Sequence, residues 1–173
     1  MLPLTFALSI FTASADPEAP PEPSPEPSLA EPLDWVRQCL NDAPKATAID
    51  DCEGRWSNLC QEQPSGGTTV GITSCIVAEL SAWEILLAEV HTKLEVAARA
   101  YDQHMPEGVS VQTTLAASKS AWDAFRSAQC DYEYTEYADG TMRSIVGAGC
   151  RLNLTAQRYE YLLNHGRRQN HFE

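Results

Sequence analysis

Six cysteines are the residues of this 173-residue chain whose type and spacing most plainly carry chemistry. Cys39, Cys52, Cys60, Cys75, Cys130 and Cys150 form an even set with no C-x-x-C pair among them. A thiolate metal site or a dithiol redox motif needs close pairs, so the set predicts a disulfide framework and an oxidising compartment. The other reactive side chains make no comparable constellation. His91, His104, His165 and His171 lack the i, i+4 pairing of a zinc-binding helix and have no cysteine or carboxylate at ligand spacing. Glu79 with Glu84, or Asp123 with Glu133, could serve as acid and base, but acids at such intervals are equally the solvated side of an amphipathic helix. No G-x-S-x-G elbow and no G-x-x-x-x-G-K phosphate loop occurs, and Ser65-Gly66-Gly67-Thr68 reads as a turn. The sequence therefore assigns no catalytic residue, no metal and no cofactor, and the expectation is a protein that is not an enzyme.

The elements that must carry these residues are helical. Ile72, Ile76, Leu80, Trp83, Leu87, Val90, Leu94, Ala97 and Tyr101 recur at three- and four-residue steps, which lays them along one stripe of a long helix ending before Pro106 and Gly108. Val111, Leu115, Ser118, Trp122, Phe125, Gln129 and Tyr132 repeat the spacing, so a second long helix folds back on the first. Trp83 and Trp122 then face each other in the seam as core residues. A third stripe runs through Ile145, Gly149, Leu152, Ala156, Tyr159 and Leu163, with Gly166 as its stop. Upstream, Trp35 to Leu40 and Ile49 to Leu59 predict two short helices broken at Pro44 and Pro64. The expected fold is all-α, a disulfide-stapled antiparallel helical bundle of three long helices and one or two short N-terminal ones.

Residues 1–15 read as a signal peptide, an apolar run ending in Ala13-Ser14-Ala15 with cleavage before Asp16. Residues 16–32 are Pro, Glu, Ala and Ser with little to bury, a disordered linker. Residues 33–173 form the single domain. Five of the 24 acidic residues and none of the 12 basic ones precede Leu33, so the domain carries a net charge of −7 within a total of −12. That balance argues against a nucleic-acid footprint and would attract a cationic partner at low salt, although solubility alone also accounts for it. A periplasmic or secreted protein, with no stable membrane insertion after signal cleavage, is expected.

Within this arrangement Cys130 and Cys150 flank the loop between the second and third long helices, and a bridge there would staple that hairpin. Cys60 with Cys75 would pin the loop holding Pro64 and Gly67, leaving Cys39 with Cys52. Cys39 with Cys60 and Cys52 with Cys75 is the competing arrangement.

The run from Cys75 through Glu79 and Trp83 to Glu84 resembles part of a known pattern. It is followed by Ala121-Trp122-Asp123-Ala124-Phe125-Arg126 leading to Cys130, then Gly140-Thr141, Cys150 and Leu154-Thr155-Ala156-Gln157-Arg158. In that order and spacing the segments resemble the LprI-like lysozyme-inhibitor family over about residues 36 to 165. The resemblance implies an exported, disulfide-bonded helical domain and, for the family's namesake, inhibition of lysozyme. The shared Glu79, Trp83, Trp122, Phe125, Arg126, Thr155 and Arg158 read as structural, the tryptophans in the seam and the arginines satisfying carboxylates or helix-terminal carbonyls. Two function classes follow, with a cationic lysozyme or another envelope protein as partner: a stoichiometric inhibitor of lysozyme-type hydrolases, or an envelope structural or adaptor domain without inhibitory activity. The interaction loop expected for the first holds Glu62, Ser65, Gly66, Gly67 and Thr68, with residues 137–143 second, because flanking cystines would preorganise both.

Overall fold

The computed structural model describes residues 30–43 and 48–171; the expected signal peptide, most of the expected linker and the break at Pro44 lie outside the described residues. Every regular element among the described residues is helical. Three short helices, α1 (Pro32–Asp42), α2 (Ala48–Cys52) and α3 (Arg55–Gln61), precede three long ones, α4 (Thr69–Asp102), α5 (Val111–Glu136) and α6 (Met142–Arg168). The second expected short helix is thus divided in two, because the chain turns at Gly54, whose φ of 75° is left-handed and ends α2 before α3 begins.

The 34-residue α4 is the centre of the fold, with α1, α3, α5 and α6 packed around it. Its twelve buried side chains, among them Ile76, Leu80, Trp83, Leu87, Val90 and Leu94, spread beyond one stripe because several neighbours cover it. From α6, Leu152, Ala156, Tyr159 and Leu162 complete the core, and Trp83 meets Tyr159 edge-on with ring centroids 5.6 Å apart. The ring partner of Trp83 is thus on α6, while Trp122, expected as a core residue facing it, is only partly buried at the edge of the core.

Helix ends are closed by named groups. The Thr68 hydroxyl accepts the Gly71 N–H at 3.0 Å to start α4. Asp102, the last residue of α4, accepts the Val111 N–H at 2.6 Å and the Ser110 hydroxyl at 2.8 Å, so the first long helix caps the second across the hairpin turn. At the far end Gly166 is not the stop. It lies buried inside α6, which runs on to Arg168 and closes when Asn170 takes a left-handed φ of 53° and the His171 N–H reaches the Gly166 carbonyl at 2.9 Å. Upstream, the Trp56 indole donates to the Ala30 carbonyl at 2.8 Å and Pro32 opens α1, so the last residues of the stretch read as linker are tied to α3.

The cystines are Cys39–Cys52, Cys60–Cys75 and Cys130–Cys150, joining α1 to α2, α3 to α4 and α5 to α6, with no free thiol among the described residues. The competing arrangement is excluded. Cys130 also sets the rotation of α5. It faces α6 with Arg126 one turn earlier, and since successive residues stand about 100° apart on a helix, Phe125 and Tyr132 are turned outward. Phe125 is 53% and Tyr132 58% exposed, and Trp122 is only partly buried, so the inward line of α5 is Leu115, Trp122, Arg126 and Cys130 instead of the stripe read through Phe125.

Candidate functional site

The 62–68 loop leaves α3 just after Cys60 and enters α4 just before Cys75, so the cystine closes its base. Inside it, the Gly66 N–H donates to the Gln63 carbonyl at 2.9 Å and the Thr68 hydroxyl to the Ser65 carbonyl at 3.0 Å. Ser65 holds a left-handed φ of 70°, uncommon for a residue with a side chain. Two glycines are required by close approach. A Cβ on Gly66 would lie 2.5 Å from the Cys60 carbonyl oxygen, and one on Gly71 2.1 Å from that of Ser65. Gly66 is accordingly buried while Glu62, Ser65, Gly67 and Thr68 are exposed, a tight base presenting an open tip. Val70, 77% exposed, and Val77 continue an apolar groove from the loop along α4.

Ser144, near the start of α6, lines that same groove. The structure thus brings the second expected loop, residues 137–143, to the same end of the bundle as the first. The approach to it is acidic and aromatic: residues 131–139 hold four carboxylates, three tyrosines and no base. Asp131 pairs with Arg151 at 2.7 Å, and Arg143 sits over the Tyr134 ring at 5.4 Å.

The motif residues lie elsewhere and act on one another. Glu79 is fully buried, and its carboxylate accepts the Gly54 and Ser57 N–H groups, each at 2.8 Å, and the Trp83 indole N–H at 3.1 Å. A carboxylate on α4 thereby caps the first turn of α3, where unpaired N–H groups and the helix dipole favour negative charge. The sequence reading placed Glu79 in the motif but missed this role. The available signal was that Glu79 shares the buried face of Trp83, Leu86 and Val90 at helical spacing. Thr155, also fully buried, accepts Arg126 Nη1 at 2.8 Å and donates to the Arg151 carbonyl at 2.7 Å. Arg126 Nη1 also reaches Glu84 at 2.8 Å, the carboxylate role expected of it. Trp122 has two guanidinium groups near its ring, Arg126 4.9 Å and Arg158 5.8 Å from its centroid. Phe125 joins none of these contacts.

His91 is buried on α4, and neither ring nitrogen has a hydrogen-bond partner among the described residues. Burial, with Arg158 and Lys119 nearby, pushes its pKa below the ordinary 6.5. A histidine more easily protonated when unfolded contributes stability that is complete above the ordinary pKa and is lost as pH falls below it toward the folded value. His91→Leu removes both the unpaired nitrogens and the titration. It should stabilise the protein by about 1–2 kcal/mol at neutral pH and flatten the decline of melting temperature as pH falls below about 6.5. An unchanged pH profile in scanning calorimetry would contradict the assignment.

Taken together, the cystine-tied helix ends, the buried carboxylate cap and the exposed, cystine-closed loop define a disulfide-stapled all-α domain in which Glu79, Trp83, Arg126 and Thr155 make internal contacts. A family model described as lysozyme inhibitor LprI matches residues 60–162, more than half of the chain, and the protein belongs to that family. It is 22% identical over 129 residues to an uncharacterized 17.7 kDa protein in the puhA 5′ region of Rhodobacter capsulatus, covering 72% of this chain and 80% of that relative. No solved structure matches.

Proposed function

We propose that this protein is an exported, stoichiometric inhibitor of lysozyme-type cell-wall hydrolases, acting in the periplasm or as a secreted protein. It engages the enzyme with the bundle end that carries the 62–68 loop. The observation that carries this reading is the loop itself, exposed at its tip and held at its base by a cystine and two glycines that tolerate no side chain. A preorganised loop surrenders little conformational entropy on binding, which is how a small inhibitor gains affinity from a small contact. The neighbouring 131–139 segment supplies negative charge for a cationic lysozyme and exposed tyrosines of the kind enriched at interfaces. Neither nucleic acid nor a membrane is a partner in this reading.

The test is residual lysozyme activity against increasing amounts of the purified, oxidised protein, expected to fall and saturate near equimolar protein. Gly67 has open space around its missing Cβ and no left-handed φ, so Gly67→Arg leaves the fold intact while adding bulk and positive charge to the tip. It should weaken inhibition by roughly tenfold or more, the scale of a like-charge intrusion at an interface. One observation favours a second reading, an envelope structural or adaptor domain: Glu79, Trp83, Arg126 and Thr155 are all engaged in internal contacts. Undiminished lysozyme activity at large excess of the protein selects that second reading.

A further inference from the structure

Arg158 is the motif arginine that makes no direct ion pair among the described residues, whereas Arg126 has Glu84. The carboxylate that acts on it electrostatically, Asp123, is paired instead with Lys119. Its Nη2 donates to the Ser118 hydroxyl at 2.9 Å, its guanidinium lies 5.8 Å from the ring centroids of both Trp122 and Tyr161, and its Nε is buried without an acceptor. A guanidinium partly withdrawn from water is costly unless an anion compensates it.

The same side chain borders a cavity of about 200 Å³ where the end of α4, the start of α5 and the end of α6 meet. Leu94, Leu115 and Leu162 give it apolar walls, and His165 and His171 join Arg158 on its polar side. No aspartate or glutamate lines it among the described residues, in a protein whose net charge is −12. Apolar walls with nitrogen bases and no acid are complementary to an apolar body ending in a carboxylate. The volume is below the roughly 300–1,000 Å³ of drug-sized sites, which limits that body to a short chain of about eight carbons or fewer. This cavity lies at the opposite end of the long helices from the 62–68 loop, so a ligand there and a protein at the loop do not compete for one surface.

We propose that this cavity binds a small apolar monocarboxylate, its carboxylate paired with Arg158 and its body between Leu94, Leu115 and Leu162. A free short fatty acid and the C-terminal residue of an apolar peptide share that chemistry. Isothermal titration of the full oxidised protein with octanoate, N-acetyl-leucine and octanol separates them. Saturable binding of one molecule per chain is expected for at least one carboxylate. Octanoate alone identifies the fatty acid, and N-acetyl-leucine alone identifies the peptide terminus. Arg158→Gln should weaken binding roughly tenfold to a hundredfold, the worth of a charge-assisted hydrogen bond in a desolvated site. Ala98, also on the wall, gives an independent variant: Ala98→Leu fills the space and should abolish binding, and it decides the matter if Arg158→Gln does not fold. The proposal is overturned if neither carboxylate binds at millimolar concentration, if octanol binds as tightly, or if binding survives the folded variants unchanged.

Discussion

Glu79→Ala should lower the unfolding free energy by about 4 kcal/mol, enough to unfold many domains of this size at moderate temperature. The substitution removes three hydrogen bonds to one carboxylate and leaves the N–H groups of Gly54, Ser57 and the Trp83 indole without an acceptor. Each stranded buried donor costs about 1–3 kcal/mol. Glu79→Gln should fall between wild type and alanine, because an amide offers one accepting oxygen but turns an N–H₂ toward another donor. Chemical denaturation monitored by far-ultraviolet circular dichroism measures both variants. A loss below about 1 kcal/mol for alanine would show that the α3 cap is not held by this carboxylate. The consequence reaches the proposed interface, since α3 carries Cys60 and delivers the chain to the 62–68 loop.

Removing the Cys60–Cys75 cystine as the double serine variant should cost about 3 kcal/mol, the scale for a bridge across about 15 residues, and should abolish inhibition well below the melting temperature. The sequence separation is 15, against 13 for Cys39–Cys52, so the two bridges restrict the unfolded chain almost equally. Function distinguishes them. Cys60–Cys75 closes the base of the proposed contact loop, while Cys39–Cys52 joins α1 to α2. The Cys39→Ser, Cys52→Ser variant should lose similar stability and keep its inhibition once folded. Equal inhibition by both folded variants would move the contact away from the loop.

The stripes of α4 and α6 were legible in the sequence because a helix covered by neighbours repeats its apolar residues at the helical period, and Ile76, Leu80, Trp83, Leu152 and Tyr159 are buried as that period requires. The cystines were legible for a related reason. Helix ends joined by short loops bring cysteines about twenty residues apart or fewer within bonding reach, so local order along the chain selected Cys60 with Cys75 and Cys130 with Cys150. Periodicity failed on α5. Phe125 and Tyr132 fall on an apolar repeat yet face outward, because the facing of Cys130 toward Cys150 and the reach of Arg126 to Thr155 decide which side of a peripheral helix turns in.

The sequence alone determined an all-α, cystine-stapled domain and, through the order of its motif segments, the family, since both depend on residues near one another along the chain. Only the tertiary structure decided that Glu79 caps α3, that the two candidate loops share one end of the bundle, and that Arg158 borders a cavity whose described lining holds no carboxylate. Each of these joins groups on different helices. Their meeting depends on how the helices are rotated against one another, and that rotation is set by packing across the whole core.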